Sequence, residues 1–170
     1  INMKNILIIS STKSNNYLLS KNLCDLIDDG VNKNNISLED YPVPLFVAST
    51  YEDSKVKYKD IISKITDELV NADGIIFCAP EYNGSIPPIL TNMIAWISVS
   101  TEYWRDGFSD KIALIATHSG GPANKFNIAL KNQLEHLGMI VMPRYISVTS
   151  TNPLNTESTR KILQQFLKHL

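Results

Sequence analysis

An uninterrupted apolar run followed by a loop rich in proline, glycine and polar residues most constrains the fold of this chain. The run extends from Gly74 to Ala79 and is rich in β-branched and aromatic residues. Such continuous apolarity is typical of a parallel strand that is covered on both faces. The sequence therefore places the following loop, Pro80 to Pro88, at the carboxyl edge of a sheet, where open α/β folds bind their ligands.

Strand-like and helix-like segments alternate along the chain without a break in composition. The predicted strands are Lys4–Ser10, Ile36–Tyr41, Gly74–Ala79, Lys111–Thr117 and Met139–Val148. The helices between and after them are a first one that stops near Gly30, then Tyr58–Leu69, Pro87–Ser98, Ala123–Leu137 and Asn155–Leu170. This alternation predicts a doubly wound α/β fold in one domain, residues 3–170. Ile1 and Asn2 precede Met3, the expected initiator, and are interpreted as residues left from expression.

Composition excludes several classes of partner. The 170 residues have a formal net charge of -1, which provides no basic field for nucleic acid and no basic run for a membrane surface. No segment has the length and apolarity of a membrane span or the pattern of an export signal. We therefore expect a cytoplasmic protein whose partners are small molecules.

The two cysteines and the three histidines do not suggest a metal site or a disulfide framework. Cys24 falls in a helical pattern and Cys78 in a buried strand pattern, so both are predicted to be reduced, packed thiols. No spacing of His, Cys, Asp and Glu matches a metal-ligand pattern.

The loop after the first strand contains Ser11, Lys13, Ser14 and Asn16. Its hydroxyl and amide groups, the positive end of the following helix and the lysine charge together suit a monophosphate. The alternative is that Ser14 or Asn15 only caps that helix. The loop matches neither GxGxxG nor a Walker motif, which argues against a dinucleotide site and a P-loop nucleotidase.

The loop after the third strand offers a surface for a flat ring. Pro80 and Tyr82 present faces for packing, and the backbone N–H groups of Tyr82, Asn83 and Gly84 could meet the polar edge of a heterocycle. Glu81 has no evident partner for proton transfer, so a contact with a helix end or a second subunit is the preferred interpretation.

The loop after the fourth strand, Thr117 to Pro122, is the third candidate. Gly120 and Gly121 are expected to allow close backbone approach and positive φ angles, and Ser119 can donate a hydrogen bond. A simple strand-to-helix turn is the alternative. His118 lacks a nucleophile or carboxylate beside it in sequence, which favours a surface or packing role over catalysis.

The third helix is apolar on nearly every side. Its apolar residues are Ile89, Leu90, Met93, Ile94, Trp96 and Ile97. A helix of this kind must be covered on more than one side, and we expect the sheet and a second subunit to cover it.

Three segments taken in order resemble the NADPH-dependent FMN reductase family, which includes azo, quinone and chromate reductases. They are Val43 to Phe46, Ala79 to Pro87 and Asn92 to Ser98. The chain departs from the family pattern at Ser10 and Lys13, where Gly and Arg are common, and at Ala95, where Asp usually precedes the tryptophan.

The resemblance implies a flavodoxin-like five-stranded parallel sheet in the order 2-1-3-4-5, helices on both faces and non-covalently bound FMN. The first loop would hold the FMN phosphate through Ser11, Lys13, Ser14 and Asn16. The second would meet the isoalloxazine through Pro80, Glu81, Tyr82, Asn83 and Gly84, and Ser119 and Gly120 would contact the far edge of the ring. Family members usually form homodimers and sometimes tetramers.

The resemblance also implies a ping-pong oxidoreductase that uses NADPH or NADH. The nucleotide would deliver hydride to N5 of FMN and leave, and an acceptor would then take electrons from the reduced flavin, with no protein residue as catalyst. The acceptor would be a quinone, azo compound, metal oxyanion, free flavin or dioxygen. Two alternatives share this fold. A flavodoxin-type electron carrier would present an acidic docking face, yet the acidic residues here are scattered. A receiver-like module would need a phosphoacceptor aspartate, where the first strand ends in two serines.

Overall fold

The computed structural model describes residues 3–170, so the interpretation of Ile1 and Asn2 lies outside the described residues. Within that range the strands are β1 (Asn5–Ser10), β2 (Asn32–Ser37), β3 (Gly74–Cys78), β4 (Ile112–His118), β5 (Ile140–Val141) and β6 (Ile146–Val148). The α-helices are α1 (Asn15–Leu26), α2 (Tyr51–Lys57), α3 (Lys59–Val70), α4 (Pro88–Ser100), α5 (Asn124–His136) and α6 (Thr156–Leu167).

All strand pairs in the sheet are parallel, and the order is β2-β1-β3-β4, with β5 and β6 both pairing with β4. This is the flavodoxin-like order 2-1-3-4-5, in which two short strands fill the fifth position. The sheet order and fold class are thus confirmed. Because the strands are parallel, the loops that follow them meet at one edge of the sheet.

The central strands bury side chains on both faces in strict alternation. In β3, Ile75 and Phe77 face the core that contains α3, α4 and α5, whereas Ile76 and Cys78 face the core of α1 and α6. Every residue of β3 is buried. The continuously apolar run therefore has the cause predicted for it, a cover of helices on each side of the sheet.

The second predicted strand has different bounds in the structure, and the structure contains a further helix after it. The second strand is not Ile36–Tyr41 but Asn32–Ser37, followed by a 3-10 turn at Leu38–Asp40. The polar residues Asn32 to Asn35 belong to the strand because they pair with β1. β2 is an edge strand, so polar side chains are tolerated there more readily than in the central strands. A further helix, α2, precedes the predicted second helix, and it has no buried residue and hence no apolar periodicity.

The predicted fifth strand, Met139–Val148, is interrupted. Ile140 and Val141 pair with the start of β4, and Ile146 to Val148 pair with its end. Pro143 lies in the gap, and proline has no N–H to donate to a strand ladder. The second half still delivers the chain to the carboxyl edge of the sheet.

The segment from Pro42 to Phe46 is fastened to α4. Asn92 accepts a hydrogen bond from the Phe46 N–H at 2.8 Å and donates one to the Pro44 carbonyl at 3.0 Å. The indole of Trp96 donates to the same carbonyl at 2.7 Å, and its ring meets Phe46 edge-on with 5.3 Å between centroids. Five of the six apolar residues named above for α4, all except Ile89, are buried within the chain itself. The sheet, α3 and this segment cover these residues, so their burial does not depend on a second subunit.

No helix within residues 3–170 is both long and apolar enough to cross a membrane.

Candidate functional site

A cavity of about 370 Å³ lies at the carboxyl edge of the sheet, where the loops after β1, β3, β4 and β6 meet. Its volume is within the range of small-molecule sites, roughly 300 to 1,000 Å³. Seven of the predicted site residues line it: Ser14, Asn16, Pro80, Glu81, Tyr82, Ser119 and Gly120. Ser11, Lys13, Asn83 and Gly84 belong to the same loops but do not line the cavity.

Three lining residues were not among the predicted site residues, namely Asn15, His118 and Ser150. Ser150 lies in the polar segment after β6, at the end of the fifth strand position. Polar residues follow the fifth predicted strand as they follow the first, third and fourth. Its signal was the run from Ser147 to Asn152, which is polar apart from Val148.

A second cavity of about 400 Å³ lies at the opposite edge of the sheet. Its asparagines bond to one another and to the backbone: Asn32 donates to the Asn5 side chain at 2.9 Å, and Asn5 donates to the Asn71 carbonyl at 3.2 Å. These groups are already satisfied, so the carboxyl-edge cavity is the better candidate for a ligand site.

The loop after β1 presents unused hydrogen-bonding groups. The Ser11 side chain is buried, and its hydroxyl has no hydrogen-bond partner within residues 3–170. Ser14 stands at the N-cap of α1, but its hydroxyl makes no capping bond and instead meets the Thr12 hydroxyl at 3.1 Å. The capping alternative for Ser14 is therefore not met, and the first N–H groups of α1 face a loop that can receive an anion.

Asn16 joins the first loop to the third. Its side-chain amide donates to the His118 carbonyl at 2.9 Å, and its carbonyl accepts from the His118 N–H at 2.8 Å. Asn16 is 2% exposed. Both the NH₂ group and the carbonyl of the amide are thus bonded to protein. Asn16 and His118 are 102 positions apart in the sequence, and their contact connects two walls of the cavity.

Lys13 is turned toward the end of β2. Its ammonium pairs with the Asp40 carboxylate, and its backbone N–H donates to Glu39 Oε1 at 2.9 Å. The hydrogen bond with Asp40 raises the pKa of Lys13 above its ordinary value. The predicted positive charge of this loop is therefore compensated by an acidic turn.

The loop after β3 forms a tight hairpin beside the cavity. Tyr82 and Ser85 exchange backbone hydrogen bonds at 3.0 Å in each direction. Asn83 and Gly84 occupy the turn with φ angles of 51° and 72°, as a two-residue turn of type I′ requires. The Tyr82 N–H is consequently not free to meet a ligand, contrary to the sequence prediction. The N–H groups of Asn83 and Gly84 donate to no acceptor within residues 3–170.

Replacing Gly84 with alanine is expected to lower the free energy of unfolding by about 1 kcal/mol. The cause is the φ of 72°, which strains any L side chain, and the added Cβ would also lie 3.2 Å from Lys125 Cδ. Chemical denaturation measures the change. Gly30→Ala is the matched control, because a Cβ there meets nothing within 4 Å. Equal losses in the two variants would contradict the prediction.

Glu81 connects the second loop to the third loop and to α5. Its carboxylate accepts a hydrogen bond from the Phe126 N–H at 2.9 Å, in the first turn of α5. Its own N–H donates to the Ser119 hydroxyl at 2.8 Å. A carboxylate at this end of a helix is stabilised by the helix dipole. The predicted helix-end contact of Glu81 is confirmed.

In the third loop the residue with a positive φ angle is an alanine and not a glycine. Gly120 and Gly121 do not adopt positive φ, which contradicts the sequence prediction, whereas Ala123, the N-cap residue of α5, has a φ of 55°. Ser119 is held from both sides, since its N–H donates to the Val148 carbonyl at 3.1 Å and its hydroxyl lies 3.0 Å from that of Thr117.

Neither cysteine lines the cavity. Cys78 is fully buried in β3, and burial raises the pKa of its thiol. Both cysteines are free, as expected. Within residues 3–170, no cluster of three or more His, Cys, Asp or Glu side chains could hold a metal ion.

Comparisons with known proteins give a family and a fold. The model of the NADPH-dependent FMN reductase family matches residues 3–153. An FMN-dependent NADH:quinone oxidoreductase of Haemophilus influenzae is 27% identical over 81% of this chain and 80% of its own length. A quinone reductase of Escherichia coli is also 27% identical, over 75% of this chain and 68% of its own length.

Solved structures share the architecture. The flavoenzyme NAD(P)H:(acceptor) oxidoreductase FerB of Paracoccus denitrificans superposes with a TM-score of 0.74 at 23% identity, covering 98% of this chain and 94% of FerB. An archaeal flavodoxin superposes with a TM-score of 0.65 at 16% identity, covering 98% and 97% of the two chains. The family match spans most of the chain and includes the lining residues of all four loops at the cavity, so this protein belongs to the NADPH-dependent FMN reductase family.

Proposed function

We propose that residues 3–170 form a single FMN-binding domain that uses NAD(P)H to reduce a small acceptor, with quinones as the first class to test. The observation that supports this most strongly is the cavity where the loops meet, together with the buried, partnerless hydroxyl of Ser11 in the first of those loops. The printed functions of the Haemophilus and Escherichia relatives support the choice of acceptor. Bound FMN would supply hydride and electron transfer at N5 in two half-reactions, one with NAD(P)H and one with the acceptor.

The groups of the first loop fit a phosphate. A buried serine hydroxyl without a partner costs stability unless a ligand satisfies it. Ser11 supplies such a group, and the open N–H groups at the start of α1 lie next to it in sequence. We propose that Ser11 and Ser14 hold the phosphate, that Lys13 adds its charge to the extent that Asp40 releases it, and that Asn16 holds the wall of the site in place.

The second and third loops would hold the ring. Pro80 and Tyr82 would offer faces for packing, and Asn83 and Gly84 would offer N–H donors that the hairpin leaves open. Ser119 and Gly120 would lie at the far edge. Glu81 would act through position, since its carboxylate fixes the start of α5 and its N–H fixes Ser119. Donors held in this way need no rearrangement when negative charge develops on a ligand.

We expect Ser11→Ala to weaken FMN binding about tenfold, which corresponds to roughly 1.4 kcal/mol. The folded protein without ligand should be at least as stable as wild type, because the removed hydroxyl is buried and has no partner within residues 3–170. Quenching of flavin fluorescence measures the affinity. Ser98→Ala, whose hydroxyl only donates to the Ile94 carbonyl on α4, is the control. Unchanged affinity in Ser11→Ala would remove this residue from the site.

Steady-state kinetics of the FMN-loaded protein test the proposed reaction. Initial rates with varied NADPH or NADH and a soluble quinone should give parallel double-reciprocal lines, since the donor leaves before the acceptor binds. Converging lines would contradict the ping-pong order. Bound FMN without turnover would favour the flavodoxin-type carrier, whose fold is equally compatible with the archaeal flavodoxin match.

We also propose that the protein forms homodimers or tetramers built from them. The support is the family resemblance, since the apolar residues of α4 are already covered within the chain. Light scattering coupled to size-exclusion chromatography measures the mass, and a value of 19.1 kDa for the FMN-loaded protein would contradict the proposal.

A further inference from the structure

An acidic turn lies against the proposed phosphate loop. It is the 3-10 turn Leu38–Asp40 at the end of β2, and it contributes the carboxylates of Glu39 and Asp40. Ser37 fixes the turn, since its hydroxyl accepts a hydrogen bond from the Glu39 N–H at 3.3 Å. The turn therefore presents two negative charges to a loop whose composition suits an anion.

Both carboxylates occupy donors of that loop. Glu39 Oε1 accepts from the Lys13 N–H at 2.9 Å, and the Asp40 carboxylate pairs with the Lys13 ammonium. Among the backbone N–H groups of residues 12–16, only that of Lys13 donates to an acceptor within residues 3–170. The remaining N–H groups and the Ser11 hydroxyl stay open. The turn thus engages the charged donor of the loop and one of its backbone donors.

We propose that Glu39 and Asp40 are internal anions that compete with the ligand phosphate for Lys13 and so set the affinity of the loop for phosphate-bearing flavin. This inference rests on the proposed function, because it assigns the phosphate to this loop. Binding of the phosphate would displace the carboxylates from Lys13 or be opposed by their charge, and either effect lowers affinity. The two residues would act on FMN and not on riboflavin, which has no phosphate.

Isosteric amides test the proposal with little change of shape. Glu39→Gln and Asp40→Asn keep an oxygen acceptor for Lys13 and remove the charge. Each variant should lower the Kd for FMN about two- to fivefold, the range expected for an exposed ion pair, and leave the Kd for riboflavin unchanged. Glu157→Gln and Asp29→Asn are matched controls, since each removes one exposed carboxylate that pairs with a lysine elsewhere.

Lys13→Ala provides a second test of the competition for Lys13, through a double-mutant cycle with Asp40→Asn. In the wild-type background its charge is engaged by Asp40, so the substitution should change the Kd for FMN little. In the Asp40→Asn background the freed ammonium can meet the phosphate, so Lys13→Ala should weaken binding about two- to fivefold. Equal effects in the two backgrounds would contradict competition for Lys13.

Inorganic phosphate separates this inference from the proposed function. The amide NMR signals of Lys13 and Ser14 report phosphate binding to the loop without any flavin, and both amide variants should bind it more tightly than wild type. Absence of FMN binding together with tighter phosphate binding would overturn the function and leave only the competition between the carboxylates and phosphate standing. Unchanged or weaker phosphate and FMN binding in both variants, or equal gains for riboflavin, would overturn the inference.

Discussion

Replacing Trp96 with alanine is expected to lower the free energy of unfolding by about 3 to 5 kcal/mol, the usual cost of removing a buried tryptophan. The side chain is fully buried on α4, and its indole satisfies the Pro44 carbonyl at 2.7 Å. It also packs edge-on against Phe46. Because domains of this size are stable by only about 5 to 15 kcal/mol, the variant should unfold at a much lower denaturant concentration.

Trp104→Ala is the matched control for that experiment. Trp104 lies in the segment between α4 and β4, is 37% exposed, and has the Arg105 guanidinium over its ring at 4.3 Å. Its loss should cost about 1 kcal/mol or less. Urea unfolding followed by circular dichroism measures both variants. Similar losses for the two tryptophans would contradict the role assigned to the contact between α4 and Pro44.

Asn16→Ala should lower the free energy of unfolding by about 2 to 4 kcal/mol. The variant removes both hydrogen bonds to the His118 backbone and leaves its N–H and carbonyl without partners. It should also weaken FMN binding, because the first and third loops lose their direct connection. Thermal unfolding of the protein without ligand, followed by a flavin titration, measures the two effects.

Asn15→Ala is the control for the stability effect, since Asn15 is the exposed neighbour of Asn16 on the same turn. It should change the free energy of unfolding by no more than about 0.5 kcal/mol. A loss of FMN affinity in Asn16→Ala without any loss of stability would show a direct ligand contact instead of a connection between loops.

The sheet could be predicted because apolar runs report burial directly. Ile75 to Cys78 are apolar because both faces of β3 are covered. The strand can therefore be recognised from its own residues, without knowledge of the neighbouring strands. β2 gave no such signal, because its edge position lets Asn32, Lys33 and Asn34 take part in pairing. The bounds of β2 depend on its pairing with β1, and the local sequence pattern carries no information about that pairing.

The loops of the site could be predicted, but their internal contacts could not. Turn residues and strand ends identified Ser14, Tyr82 and Ser119 as neighbours at one edge. The contact of Asn16 with His118 joins positions 102 residues apart, and only the folded sheet brings them together. The ion pair of Lys13 with Asp40 could not be predicted either. In the sequence the lysine charge suits a phosphate, and only the folded chain brings Asp40 next to it.

The left-handed positions show where composition misleads. Gly120 and Gly121 suggested positive φ angles, because glycine adopts them without strain. In the loops after β3 and β4, the positive φ angles belong to Asn83, Gly84 and Ala123 instead. Asn83 and Gly84 form the two-residue turn that their dipeptide predicts. Ala123 takes its φ at the start of α5, where the fold of the third loop overrides the preference of the residue.

Anaerobic mixing of the FMN-loaded protein with NADPH or NADH tests the central claim most directly. The visible absorption of the bound flavin should bleach within a single turnover, much faster than that of free FMN under the same conditions, and return when a quinone is added. Bound flavin that stays oxidised with both nucleotides would contradict the reductase assignment. A protein that binds no FMN at all would contradict the assignment of the site itself.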